Sequence, residues 1–283
     1  TYIGSCSSST TSATTDNNTI TFTTLSDGTY SNCKLYVTSS TGVKGNTLSV
    51  TPFTVDTTAP SLSQSTAVTT PTKDPTPSYA FSSDEAGTIS YGGCSPGGTS
   101  AINGTNTISF GTLSEASYSC TITVTDSAGN ASALSVNTFV VDTTAPSVSS
   151  TSPADSANSV GVNSSISITF SESMKTSTVT SNTSDTSCSG TIQISLTDFN
   201  DCVQISSQPS ASNSNKTFTF TPSSNLQHAT NYKIRATTAV KDPANNSVSS
   251  QWTTSSGFST TWNTRQPSTS ASDNWGMDVK TDS

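Results

Sequence analysis

Charge is scarce in this 283-residue chain: Asp, Glu, Lys and Arg make up 10% of it, with 10 Lys or Arg against 18 Asp or Glu. A net charge of −8 with so few cations excludes a nucleic-acid partner, which needs clustered Lys and Arg to displace counterions, and excludes adsorption to an anionic membrane surface for the same reason. No run approaches the ~20 apolar residues of a membrane span, so membrane insertion is excluded too. No secretory leader opens the sequence, which is expected of a mature secreted protein or of a segment of a longer one. Only 30% of the chain is apolar and 7% aromatic, so any module it forms buries a modest core.

Histidine is almost missing, with His228 alone, and no CxxC occurs. Nucleophilic catalysis needs a base held by a third group, and His228 in the turn-like NLQHATNY reads as a solvated loop residue. Asp84 and Glu85 are adjacent and cannot converge on one cleft as a carboxylate pair. The chain is therefore expected not to be an enzyme. What it has in quantity is Ser and Thr, about two residues in five, which favour strands and turns over helices.

The chain repeats itself. GTISYGGCSPGG…NTISFGTLSEASYSCTITVTDSAGNASALSVNTFVVDTTAP, residues 87–146, is mirrored by residues 1–60, with Cys6 matching Cys94, Tyr30 matching Tyr118, Cys33 matching Cys120 and Asp56 matching Asp142. The offset is one small domain long, so the chain is read as a tandem array. Within the second repeat, 78–83, 88–91, 106–110, 118–125 and 133–141 are short alternating runs split by turn residues, the spacing of a β-sandwich. A third module follows, where Ile166, Ile168 and Phe170 alternate, as do Phe218 and Phe220, then Tyr232, Ile234 and Ala236. The expected architecture is all-β, tandem β-sandwiches over residues 1–60, 61–146 and 147–261, with a tail at 262–283. The six cysteines fall two per module, Cys6 and Cys33, Cys94 and Cys120, Cys188 and Cys202. An oxidising compartment would join each pair, and zinc is the competing reading.

The VDTTAP boundaries and TVTDSAGNAS resemble the bacterial immunoglobulin-like repeats of large surface proteins and adhesins. SPADSANSVGVNSSISITFSESM and KDPANNSV resemble the related Ig-like domain of bacterial surface-layer and cell-wall proteins. The resemblance implies an extracellular location on a bacterial cell surface, with the roles of spacer, adhesin or enzyme appendage all open. It also implies structural calcium at the junction of modules two and three, held by Asp126 and Asp142 with Asn130 and Glu172; the alternative is that these residues cap turns through their own backbone. In module one the equivalent loop, 38–44, carries Lys44, which is expected to repel a cation and leave Asp56 poorly partnered. No other cofactor is expected. Trp252, Trp262 and Trp275 read either as glycan-stacking platforms or as core and interface anchors.

Module one looks incomplete. Thr1 aligns opposite Ile89, so residues 61–88 have no counterpart, and the sandwich would lack its first two strands. In the tail, Trp275, Met277 and Val279 alternate as a strand's buried face would. One reading is a homopolymer: the tail of one copy completes module one of the next, building an extracellular filament by donor-strand complementation. The others are a stalk segment of a large adhesin, cut inside a repeat, and a carbohydrate-binding appendage with host or surface glycans as partners.

Overall fold

The computed structural model describes residues 1–196 and 198–262, which divide into two compact units after Asp142. Nearly all regular structure is strand; the helical segment among the described residues is the 3-10 turn Thr176–Thr178. The tail residues Trp275, Met277 and Val279 lie outside the described residues.

Module one carries β1 (Tyr2–Ile3), β2 (Gly28–Tyr30), β3 (Lys34–Leu35), β4 (Leu48–Ser49) and β5 (Phe53–Val55). Module two carries β6 (Leu62–Thr66), β7 (Ser78–Ser83), β8 (Gly87–Gly92), β9 (Ser100–Ala101), β10 (Gly104–Ser109), β11 (Ala116–Tyr118), β12 (Thr121–Thr125), β13 (Ala131–Ser135) and β14 (Phe139–Val141). One sheet of module two runs β10-β7-β6 and the other β13-β12-β8-β9, with β11 paired to β14. The strand β12 shows why. Its residues TITVT are β-branched throughout, which suits a pleated, half-buried surface, and Ile122 and Val124 are fully buried while the threonines between them are not. From the other sheet, β7 sends Tyr79 and Phe81 into the same core, where they join Ile108, Phe110, Phe139 and Val141.

The second unit holds module three: β15 (Val148–Ser152), β16 (Ile166–Phe170), β17 (Ile192–Ser195), β18 (Ser210–Ser212), β19 (Thr217–Phe220), β20 (Asn231–Ala236), β21 (Trp252–Thr253) and β22 (Phe258–Ser259). One sheet runs β15-β16-β19-β18 and the other β17-β20-β21, with β22 also on β20. The alternating Ile166, Ile168, Phe170, Phe218, Phe220, Tyr232 and Ile234 form its core. Asp155 closes this module: its carboxylate accepts hydrogen bonds from the backbone N–H groups of Ser255, Ser256 and Gly257 and from the Ser255 hydroxyl. Gly257 sits at φ +78°, and a Cβ there would come within 2.2 Å of the Tyr232 carbonyl oxygen, so only glycine fits.

All three cysteine pairs are disulfides, Cys6–Cys33, Cys94–Cys120 and Cys188–Cys202, and among the described residues no cysteine is free. Zinc ligation is thereby displaced. No helix among the described residues is long and apolar enough to cross a membrane.

Candidate functional site

Module one is built as module two is, wherever it has the residues. The pair β2–β5 matches β11–β14 in register, Tyr30 opposite Phe53 as Tyr118 stands opposite Phe139. Tyr30 stacks on Phe53 at 5.3 Å as Tyr118 stacks on Phe139 at 5.5 Å. The Tyr30 hydroxyl donates to the Ser26 carbonyl as the Tyr118 hydroxyl donates to that of Ser114. The bridge Ser8–Phe22 repeats Pro96–Phe110. Tyr2 stands opposite Leu35 as Tyr91 stands opposite Ile122, and both tyrosines donate 2.7 Å hydrogen bonds to the matching carbonyls of Thr10 and Gly98. This corrects the alignment: Thr1 corresponds to Ser90, not Ile89, because TYIGSC carries one residue more than SYGGC between tyrosine and cysteine.

What differs is burial. In module two, β7 lies along the whole of β10, and Ile108, Ile122 and Val124 are core. Their counterparts Ile20, Leu35 and Val37 line an open groove of about 600 Å³, together with Leu48. Val37 is 52% exposed where Val124 is 0%, and Leu48 is 63% exposed. Among residues 1–60 only Cys6, Cys33 and Pro60 are buried. Residues 16–21, equivalent to β10, carry no strand ladder among the described residues.

The edge is nevertheless shaped. Asn106 folds the turn before β10: its Oδ1 accepts from the Ile102 N–H at 2.8 Å, and its Nδ2 donates to the carbonyls of Ile102 and Gly104 at 3.0 and 3.1 Å. Asn18 does the same, accepting from the Thr14 N–H at 2.9 Å and donating to the carbonyls of Thr14 and Asp16 at 3.2 and 2.7 Å. The signal for this was in the sequence as NTITF against NTISF, but the asparagine's role needed coordinates.

A second cluster lies within the first unit. Carboxylate oxygens of Asp56, Glu85 and Asp126 lie within 4.8 Å of one another. Such spacing suits oxygens that share a Ca²⁺ ion at 2.3–2.6 Å from each. Asp126, expected beside Asp142 and Glu172, is gathered here with Asp56 and Glu85. The hairpin loop between β12 and β13 lies at the end of module two where the chain enters, so Asp126 meets the entering linker's Asp56, and Asn130 donates from its side chain to the Asp56 carbonyl at 3.1 Å. For the same reason Asp56 is not poorly partnered: its neighbours come from module two, and Lys44, in the loop of module one, lies over the Tyr36 ring at 4.1 Å. Asp126 also caps its own loop, accepting from the N–H groups of Ala128, Gly129 and Asn130 and from the Asn130 amide. The Asn130 side chain, foremost, and those N–H groups hold the Asp126 carboxyl below the usual range. Desolvation, then Asp56, Asp126 and Asp84, push Glu85 up. Asp27 clamps the linker, accepting from the N–H and hydroxyl of Thr57 and from the Thr58 hydroxyl.

Residues 142–260 match the family model described as bacterial Ig-like domain. The third module is a bacterial Ig-like domain. No curated protein matches the chain. Among solved structures, the N-terminal part of the bacterial S-layer protein SbsC is 18% identical with a TM-score of 0.30, over 42% of this chain and 24% of that one. SGBP-B of the Bacteroides ovatus mixed-linkage glucan utilization locus, solved with a mixed-linkage heptasaccharide, is 18% identical with a TM-score of 0.22, over 87% of this chain and 56% of that one. The chain thus spans about a quarter and about half of these two structures.

Within the Ig-like domain, Asp242 is fully buried and is gripped by Asn246 as Asp126 is by Asn130, with hydrogen bonds of 2.8 Å from the backbone N–H and the side-chain amide. A Glu172 carboxylate oxygen lies within 4.8 Å of one of Asp242. Asp142 is described in the first unit, where its N–H donates to the Thr72 carbonyl at 2.9 Å. His228 is exposed and its Nδ1 lies 3.1 Å from the Thr261 carbonyl oxygen. Trp252 packs against the core of the Ig-like domain, whereas Trp262 is 80% exposed.

Proposed function

We propose that this chain is a structural subunit of an extracellular bacterial filament, assembled head to tail, in which the C-terminal tail of one copy fills the groove in module one of the next. The observation that carries the reading is the groove itself: Ile20, Leu35 and Val37 occupy positions that are core in module two, yet they face open space. A groove that presents apolar side chains beside an unpaired β-edge is the form that β-augmentation exploits, because main-chain hydrogen bonds supply affinity and alternate side chains supply specificity. The contact is heterologous and does not close on itself, so it propagates. A disulfide in every module fits an oxidising, extracellular setting and suits a mechanical role rather than a catalytic one.

The proposal includes a structural Ca²⁺ held by Asp56, Glu85 and Asp126. The ion would offset the mutual repulsion of the three carboxylates and tie the linker to module two. A chelator that leaves the melting temperature unchanged would remove it.

Electron microscopy of the purified chain and of its Trp275→Ala variant tests the assembly. Filaments from the first and monomers from the second are expected. Extended monomers from both would favour the stalk of a larger adhesin, and retention on polysaccharide would favour a glycan-binding appendage.

A further inference from the structure

We infer that the groove admits its donor in one register, with Trp275, Met277 and Val279 of a second copy seated where β7 of module two seats Tyr79, Phe81 and Ser83. The inference rests on the strand-donation reading above and goes beyond it, since donation alone fixes neither the pairing nor the inward face.

The strand β7 turns three residues inward, Tyr79, Phe81 and Ser83, with Ala80 and Ser82 between them. The tail run Trp275-Gly276-Met277-Asp278-Val279 has the same order of sizes and polarities at its first four positions: large, small, large, polar. Its fifth residue, Val279, adds an apolar side chain at the position of the buried Ser83. In module two, β7 runs antiparallel to β10, with Tyr79 opposite Ile108, Ala80 opposite Thr107 and Phe81 opposite Asn106. The equivalents of these in module one are Ile20, Thr19 and Asn18. Carrying the pairing over places Trp275 opposite Ile20, Gly276 opposite Thr19 and Met277 opposite Asn18.

Two features make this register the preferred one. The Asn18 side chain already holds residues 14–18 in the form that Asn106 gives to 102–106, so the turn that leads into the acceptor edge is formed before any donor arrives. A slip by one residue would turn Trp275 and Met277 to solvent and bring Gly276 and Asp278 to face Ile20, Leu35 and Val37. A slip by two would move the tryptophan off Ile20.

Paired cysteines in the full chain test the register. Residues directly opposite on antiparallel strands have Cα atoms about 4.5–5.5 Å apart, within disulfide reach, while diagonal neighbours stand about 7–8 Å apart and are not. Thr19→Cys with Gly276→Cys is expected to give a ladder of cross-linked oligomers on a non-reducing gel that collapses to monomer on reduction. The control pairs Asn17→Cys with Gly276→Cys and Thr21→Cys with Gly276→Cys are expected to give none. A ladder from a control pair alone would overturn the register and leave strand donation standing. No ladder from any pair would overturn the register alone if electron microscopy still shows filaments and would overturn both if it shows none. A cross-linked monomer, in which the tail has filled its own groove, would overturn donation between copies. Without added cysteines, Met277→Glu places a charge on the inward face and is expected to abolish assembly, whereas Asp278→Lys on the outward face is expected to preserve it. Equal effects of these two substitutions would also overturn the register.

Discussion

The side-chain amide of Asn130 donates to the backbone carbonyl of Asp56 at 3.1 Å, tying a hairpin loop of module two to the linker that enters it. The same contact gathers three carboxylates, and their titration gives the first prediction. Glu85 has its folded-state pKa raised, by desolvation first and then by Asp56, Asp126 and Asp84. A raised value means that the favourable contribution is fully present below the unfolded pKa and is lost as pH rises through the folded one. In chelator at pH 7, Glu85→Gln is therefore expected to melt at or above the wild-type temperature, with the difference vanishing in acid. With millimolar Ca²⁺ the order inverts, because the wild type gains and the variant does not. Thermal melts in chelator and in calcium at both pH values check this.

Asp155 gives the opposite sign. Hydrogen bonds from the Ser255 side chain, first, and from the N–H groups of Gly257, Ser256 and Ser255 hold its carboxyl below the usual range. Its contribution is present above the unfolded pKa and is lost as pH falls through the folded value. Asp155→Asn is expected to cost the Ig-like domain about 1 kcal/mol at pH 7, the low end for charge-assisted bonds because solvent screens this exposed site. The difference from wild type should shrink as pH falls. Denaturant titration at two pH values measures it.

The three disulfides should not matter equally. Cys188 and Cys202 are 14 residues apart, so their bond contributes about 3 kcal/mol by the loop-entropy estimate to a module that has a core of its own. In module one, Cys6 and Cys33 are the buried side chains apart from Pro60. Reduction is expected to expose residues 1–55 to protease while residues 62–141 persist, since module two keeps its cluster around Ile122 and Phe139. Limited proteolysis with and without reductant, read by mass spectrometry, decides it.

Much of this was legible in the sequence, and the boundary of what was not has a physical reason. Alternation exposed the strands, because Ile122 and Val124 between threonines can only mean one dry face and one wet face. Repetition exposed the cysteine pairing, since Cys6 and Cys33 recur as Cys94 and Cys120. The cluster that gathers Asp126 was not legible because its members come from three separate stretches, a linker, the turn after β7 and a hairpin loop. Which end of a sandwich a hairpin loop reaches depends on strand direction, and the text of the chain does not state it. Asn18 and Asn106 were not legible: an asparagine beside a turn is ordinary in a chain so rich in turn residues, and only geometry shows that both make the same three bonds.

Removing the tail's anchor should be costly. Trp→Ala at a buried contact costs about 3–5 kcal/mol, so Trp275→Ala is expected to weaken subunit association by at least a hundredfold in sedimentation experiments. Trp262→Ala, at an exposed position in the described fold, should leave association unchanged.

Amide hydrogen exchange across residues 16–22 tests the central claim most directly. In the assembled full chain these amides are expected to be protected for as long as those of β10 in module two, and to exchange rapidly in the Trp275→Ala variant, where no donor strand is held. Equal, rapid exchange in both proteins would mean that the groove beside Ile20 and Val37 takes no strand, and would contradict the account.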